Sequence, residues 1–182
     1  YCYAVRDQNR LVYQADEEFV RSLPAELRGP MQRWFDRFKM SLDDAMDMFR
    51  SFHSQHHNKR RVKIQLAPAN LHWCSDTALT KLSEASAKYD VPMHMHLLET
   101  AYQKEYAWRR GNCTALEYID RFGMVNERLT LGHGVWLNEK DIDRLAEARG
   151  CVCHNCSSNF RLRSGVAALN HFEKKGINTA IG

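Results

Sequence analysis

The residues best suited to chemistry lie in one short run, Val91-Pro-Met-His94-Met-His96-Leu-Leu-Glu99-Thr100. Side chains alternate across an extended chain, so His94 and His96 project from the same side of a strand. Glu99 follows His96 where the strand would give way to a loop. An imidazole holds a metal through one ring nitrogen. A carboxylate one turn away can then move a proton to or from water on that metal. The bland alternative is two buried histidines with structural hydrogen bonds, which is the commoner meaning of an isolated His-x-His. The trailing Glu99 shifts the balance toward chemistry.

Two further runs repeat the arrangement. Leu129-Thr-Leu-Gly-His133-Gly puts a histidine at the end of an apolar strand, before a backbone-opening glycine. Cys153-His154-Asn155-Cys156-Ser157-Ser158-Asn159-Phe-Arg-Leu162-Arg-Ser164-Gly165 starts at another strand end. Parallel α/β enzymes build their sites at the C-terminal ends of strands. Consecutive strands that each end in histidine are stronger evidence than any one of them.

The elements that position these residues follow from the apolar pattern. Strand-length runs occupy Tyr1–Val5, Val62–Leu66, Val91–Leu97, Arg128–Gly132, Gly150–His154 and Ile177–Ile181. Between them Ser75–Tyr89 opens on a Ser-Asp cap signal and carries Leu79, Leu82 and Ala85 on one helical face. Asn138–Arg149 and Val166–Lys175 read as helices stopped by Gly150 and Gly176. The stretch from Asp16 to His57 predicts two or three helices, broken near Pro24 and at Gly29-Pro30. Strands alternating with helices imply a parallel sheet, because parallel strands need crossover connections. A closed (β/α)8 barrel takes about 250 residues, and this chain has 182. It begins and ends in strand-like runs, which predicts a segment of a larger barrel. A complete open α/β sheet is the rival.

Composition bounds the function. Hydrophobic residues are 44% and charged residues 26%, ordinary for a folded domain and too apolar for a disordered chain. The sequence has no apolar run of about 20 residues to span a membrane, and its opening lacks a leader's charged start and apolar core. A net charge of +4 is too weak to argue for nucleic acid. The six cysteines are unevenly spaced and predict free thiols in a reducing cytoplasm. Cys151, Cys153, His154 and Cys156 crowd too tightly for a structural zinc site. His53, His56 and His57 read as a solvated helix end, and Met40, Met46, Met48 and Phe49 as core packing.

Taken in order, HMHLLET, LTLGHGVWL and CHNCSSNFRLRSGVAALNHFEKKGINTAIG resemble the amidohydrolase superfamily. The similarity is to its metal-dependent aminohydrolase branch, with cytosine, guanine and adenosine-derivative deaminases and triazine hydrolases. It covers about the last 120 residues well and the start more loosely. YCYAVRDQNR resembles the third barrel strand and VKIQLAPANLHWCSD the fourth. The resemblance implies an α/β fold, a partial TIM (β/α)8 barrel of about strands 3 to 8, with residues 1–182 a fragment of one catalytic domain. It implies one divalent ion, zinc before iron or manganese, with His96 as metal ligand. Glu99 would be the acid/base and His133 would orient and polarise the attacking water. Arg6 falls where some relatives place a substrate-contacting arginine. The loop carrying Ser158, Asn159, Leu162, Ser164 and Gly165 reads as structural.

The resemblance also places a first-strand His-x-His pair before Tyr1 and an eighth-strand Asp after Gly182. The expected function is therefore that of the parent protein, with the fragment alone inactive. It is metal-dependent hydrolysis of non-peptide carbon–nitrogen bonds, deaminating an amino-substituted nitrogen heterocycle by attack of metal-bound hydroxide. The expected partner is a small N-heterocyclic substrate, with no nucleic acid or membrane, in a cytoplasmic protein that can form a homo-oligomer. Two rivals stand beside it: a non-catalytic amidohydrolase-like barrel used for binding or assembly, and an α/β hydrolase with a cysteine nucleophile.

Overall fold

A computed structural model describes residues 4–8, 11–12, 14–37 and 40–182. Strand β1 (Ala4–Val5) pairs in parallel with β2 (Ala67–Pro68). Strands β3 (Met93–Leu97), β4 (Leu129–His133), β5 (Cys151–His154) and β6 (Asn178–Ile181) form a second parallel set in that order. A parallel bridge from Leu66 to Met93 joins the two sets. Each strand thus lies beside its neighbour in sequence, all pointing one way. An open doubly wound sheet reverses strand order at a switch point; this one does not. The arrangement is an arc of a (β/α)8 barrel, and the open-sheet rival falls.

Helices cover one side of the arc. Helix α4 (Asp76–Tyr89) starts where Ser75 accepts a hydrogen bond from the Ala78 N–H, a cap that contributes about 1 kcal/mol. It buries Leu79 and Leu82 completely, each contributing roughly 1.5–3 kcal/mol. Helix α5 (Ala101–Gly111) is capped by Thr100. Helix α6 (Ala115–Asp120) and helix α7 (Glu139–Glu147) each begin with a reciprocal capping box, Thr114 with Glu117 and Asn138 with Asp141. Facing these helices, Met93, Met95 and Leu97 of β3 and Leu129 and Leu131 of β4 are fully buried. The alternate residues turn to the inner face, and these include His94 and His96.

Several expectations shift. The strand expected at Val62–Leu66 moves to Leu66–Pro68, and residues 62–65 carry no strand pairing. Ile64 is buried without a ladder there, so the apolar signal before Leu66 was burial rather than pairing. Pro24 separates α1 (Asp16–Ser22) from α2 (Ala25–Arg37), but Gly29-Pro30 breaks nothing. Residues 25–30 are exposed, so the carbonyl that Pro30 leaves unbonded meets water. Helix α3 (Leu42–His56) buries Met46 and Phe49 in the core as expected. The expected Val166–Lys175 helix shortens to α9 (Leu169–Lys174). The loop expected after the seventh barrel strand contains a helix, α8 (Cys156–Arg161). Of the first expected strand, residues 1–3 lie outside the described residues, as does Cys2.

Candidate active site

Strands β3 and β4 bring the predicted residues together. Their register sets His96 beside Gly132 and Leu97 beside His133. After β3 the chain turns sharply, with Leu98 at φ 54°, and this carries Glu99 back toward the strand ends. His133 itself adopts φ 78°, followed by Gly134 at φ 57°. A non-glycine residue held in the left-handed region costs about 1–3 kcal/mol and is found where the surroundings fix a functional side chain. Here the fixing bonds run from the Gly134 N–H to the Leu97 carbonyl and from the Trp136 N–H to the Leu98 carbonyl, both 3.1 Å.

The result is a compact cluster. His96 Nδ1 lies 3.0 Å from His133 Nε2, and Glu99 Oε1 lies 3.7 Å from the same His133 nitrogen. Each of the three residues offers one ligand atom, and these atoms fall within 4.8 Å of one another. Among the described residues no other group of His, Cys, Asp and Glu is arranged this way. His133 is buried, Glu99 is partly buried and His96 is exposed at the face. Loss of hydration, then the charges of His133, His94 and Arg6, push the His96 imidazolium down to about 4. Loss of hydration also lowers His94. His96 is thus a neutral imidazole at pH 7, the form that ligates metals. Two imidazole nitrogens and a carboxylate oxygen suit zinc, iron or manganese as a donor set.

Sequence reasoning gave no role to Gln103 or Asn155 and read Asn159 only as part of a structural loop. Gln103, in the first turn of α5, accepts the Glu99 N–H on Oε1 at 2.8 Å. Its amide nitrogen reaches Glu99 Oε2 at 3.5 Å. Asn159 on α8 faces His133 Nδ1 through Oδ1 at 2.6 Å, and Asn155, at the start of that helix, faces His133 Nε2 through Nδ2 at 3.1 Å. The i, i+4 spacing of the two asparagines was the available signal, and it speaks only once the segment is known to be helical.

The remaining expectations sort as follows. Arg6 leaves β1 and places its guanidinium 4.2 Å from the centre of the Trp73 ring, a cation–π contact. Its charge acts on both His96 and His72. His154 stands at the end of β5 but points into the core, where its Nδ1 meets Asn159 Nδ2 at 3.2 Å. Among the described cysteines, Cys74, Cys153 and Cys156 are not set up as nucleophiles. Burial pushes the Cys74 thiol up to about 11, opposite to what thiolate chemistry needs. Cys153 and Cys156 donate to Asn155 Oδ1 and to the His154 carbonyl. His53 and His57 stack at 4.5 Å on the far end of α3, remote from the cluster in sequence and element. Among the described residues no helix is long and apolar enough to cross a membrane.

Comparison with known proteins fits this geometry. Residues 27–182 match the amidohydrolase family. The chain is 31% identical over 140 residues to a 5-methylthioadenosine/S-adenosylhomocysteine deaminase of Thermodesulfovibrio yellowstonii, a match covering 77% of this chain and 32% of that protein. It is 31% identical over 153 residues to an 8-oxoguanine deaminase of Pseudomonas aeruginosa, covering 84% and 34% respectively. Among solved structures, an adenosine deaminase from Xanthomonas campestris with bound zinc superposes with a TM-score of 0.77 at 27% identity, over 80% of this chain and 33% of that one. The chain spans about a third of the length of the curated relatives it matches.

Proposed function

Because the chain belongs to the amidohydrolase family, we propose that it is part of the single catalytic barrel domain of a metal-dependent hydrolase. The enzyme cleaves carbon–nitrogen bonds other than peptide bonds and deaminates an amino-substituted nitrogen heterocycle. The observation that carries this reading is the convergence of His96, Glu99 and His133 at the ends of neighbouring parallel strands. The deaminase relatives and the zinc-bearing structural neighbour support the reaction class and the choice of zinc.

His96 would hold the ion, its neutral ring offering a nitrogen at the open face. A bound divalent ion lowers the pKa of water toward about 7 and so supplies hydroxide at neutral pH. Glu99 takes the proton released from the attacking water and returns it to a ring nitrogen of the substrate. Gln103 holds the Glu99 backbone and carboxylate so that Oε1 is left facing the cluster. His133 Nε2 orients the attacking water. Arg6, laid over Trp73, contacts the substrate from the side of β1. Ammonia leaves once a second proton, from the newly added hydroxyl, reaches the amino group, and the ring carbon keeps that oxygen as a carbonyl. The substrate is a small molecule, and the free state of the five described cysteines supports a cytoplasmic setting.

The test is ammonia release from a panel of amino-purines and their nucleosides by the protein that carries this chain. Turnover of at least one panel member, lost with Glu99→Gln, is expected. Absence of turnover across the panel, with metal bound, would remove the deaminase reading.

A further inference from the structure

Hydrogen bonds around His133 run in one direction through five side chains. The Cys153 thiol donates to Asn155 Oδ1 at 3.5 Å. The Asn155 amide nitrogen faces His133 Nε2 at 3.1 Å. On the other side of the ring, His133 Nδ1 faces Asn159 Oδ1 at 2.6 Å. The Asn159 amide nitrogen then faces His154 Nδ1 at 3.2 Å. His133, Asn159 and His154 are each 2% exposed, so water does not substitute for these partners.

With the two amides turned as they are, the chemistry of the groups assigns the protons. An amide oxygen only accepts and an amide nitrogen only donates. His133 must therefore carry its proton on Nδ1, where it meets Asn159 Oδ1. Nε2 is then a lone pair, accepting from Asn155 and turned toward His96 and Glu99. His154 Nδ1 is a lone pair for the same reason. Turning either amide over would set like groups against each other unless every bond in the chain reversed together.

We infer that Asn159, steadied by Asn155, is a positioning residue that sets the tautomer of His133. Asn159 touches neither Glu99 nor the open face of the site; it acts through the imidazole. Its catalytic consequence rests on the hydrolase reading above. With the proton on Nδ1, His133 presents the Nε2 lone pair to the attacking water, which takes it over from the Asn155 amide. With the proton on Nε2, the same ring presents a donor to that position and would hold the water in the opposite sense. A ring nitrogen's hydrogen bond on one side selects what the other nitrogen offers, and loss of such a partner typically costs about 10–100-fold.

The experiment is long-range proton–nitrogen NMR on histidine-labelled protein as purified, with the His133 signals identified by their loss in His133→Gln. A protonated Nδ1 and an unprotonated Nε2 are expected at pH 7.5. The double variant Asn155→Ala/Asn159→Leu frees both ring nitrogens, and it should shift the proton to Nε2 and lower kcat about 10–100-fold with little change in KM. Asn159→Asp keeps an acceptor oxygen and should restore both the Nδ1 proton and most of the rate. A wild-type proton on Nε2 would overturn the inference, as would a double variant that leaves the proton on Nδ1. The wild-type spectrum decides by itself if the double variant fails to fold. It needs no substrate, so its outcome is separate from that of the ammonia assay.

Discussion

His96 Nδ1 stands 3.0 Å from His133 Nε2 across the neighbouring strands β3 and β4. The two rings are tilted at 45° with centroids 5.0 Å apart. Pairing alone would keep them apart: the register sets His133 beside Leu97, whose side chain faces away from His96, and the left-handed turn at His133, φ 78°, brings its ring across to His96. A slip of one residue in β3 would turn His96 to the helix-covered face of the sheet. The depth of burial under β3 and β4, where Met93, Met95, Leu129 and Leu131 are fully enclosed, makes that slip costly.

Glu99→Gln keeps the shape of the side chain and removes its ability to take a proton. General acid–base groups contribute roughly 10²–10⁴-fold, so kcat for ammonia release should fall by about that factor. Steady-state kinetics together with metal analysis check it. A metal content equal to wild type with kcat unchanged would remove Glu99 from the proton path.

Gly132 leaves room for the histidines below the site. A Cβ there would lie 3.0 Å from His94 Nε2 and 3.6 Å from Asn155 Nδ2. Gly132→Ala should therefore displace the His94 ring, whose centroid lies 5.9 Å from that of His96, while Asn155 stays at ordinary contact distance. A misplacement approaching 1 Å costs up to about 100-fold in rate, and a tenfold loss in kcat is expected for this smaller shift. Adding His94→Ala removes the clash, so the double variant should recover most of the loss. A double variant no faster than Gly132→Ala would show that His94 is not what the methyl group meets.

His72 gives the fold a dependence on pH. Burial, then the charge of Arg6, push it from 6.5 down to about 4, and its Nδ1 is buried without a hydrogen-bond partner. The folded protein keeps it neutral while the unfolded chain protonates it near 6.5. Between these values the unfolded state holds more protons, so stability rises with pH there. The contribution is complete above about pH 6.5 and is lost as pH falls toward 4. The slope approaches about 1.4 kcal/mol per pH unit for one such group. Urea melts at pH 7 and pH 5 should show His72→Gln losing less stability on acidification than wild type. Equal losses would place the sensitivity elsewhere.

The chemistry at the ends of β3 and β4 was legible because it lies within single strands. Alternation set His94 and His96 on one face, and Glu99 followed at the turn. The asparagines that hold His133 were not legible. Asn155 and Asn159 reach it from α8, a helix that starts with no side-chain cap and looks like a polar loop in sequence. Gln103 was hidden in the same way, since a helix-favouring glutamine gives no sign that its far end meets Glu99. Local patterns reported what each element is, and contacts between elements decided which side chains hold the site. The same division explains β2. Ile64 and Leu66 read as strand because they are buried, but pairing needed a partner that only Leu66 and the residues after it find.

Metal dependence is the central claim, and chelation followed by restoration tests it most directly. The protein that carries this chain would be stripped with a chelator, divided, and returned to zinc or to buffer, with ammonia release measured on both portions. Loss of turnover on stripping and recovery with about one equivalent of zinc is predicted, with no recovery in His96→Ala. Turnover that survives complete removal of the metal would contradict the assignment of His96, Glu99 and His133 to a metal-dependent site.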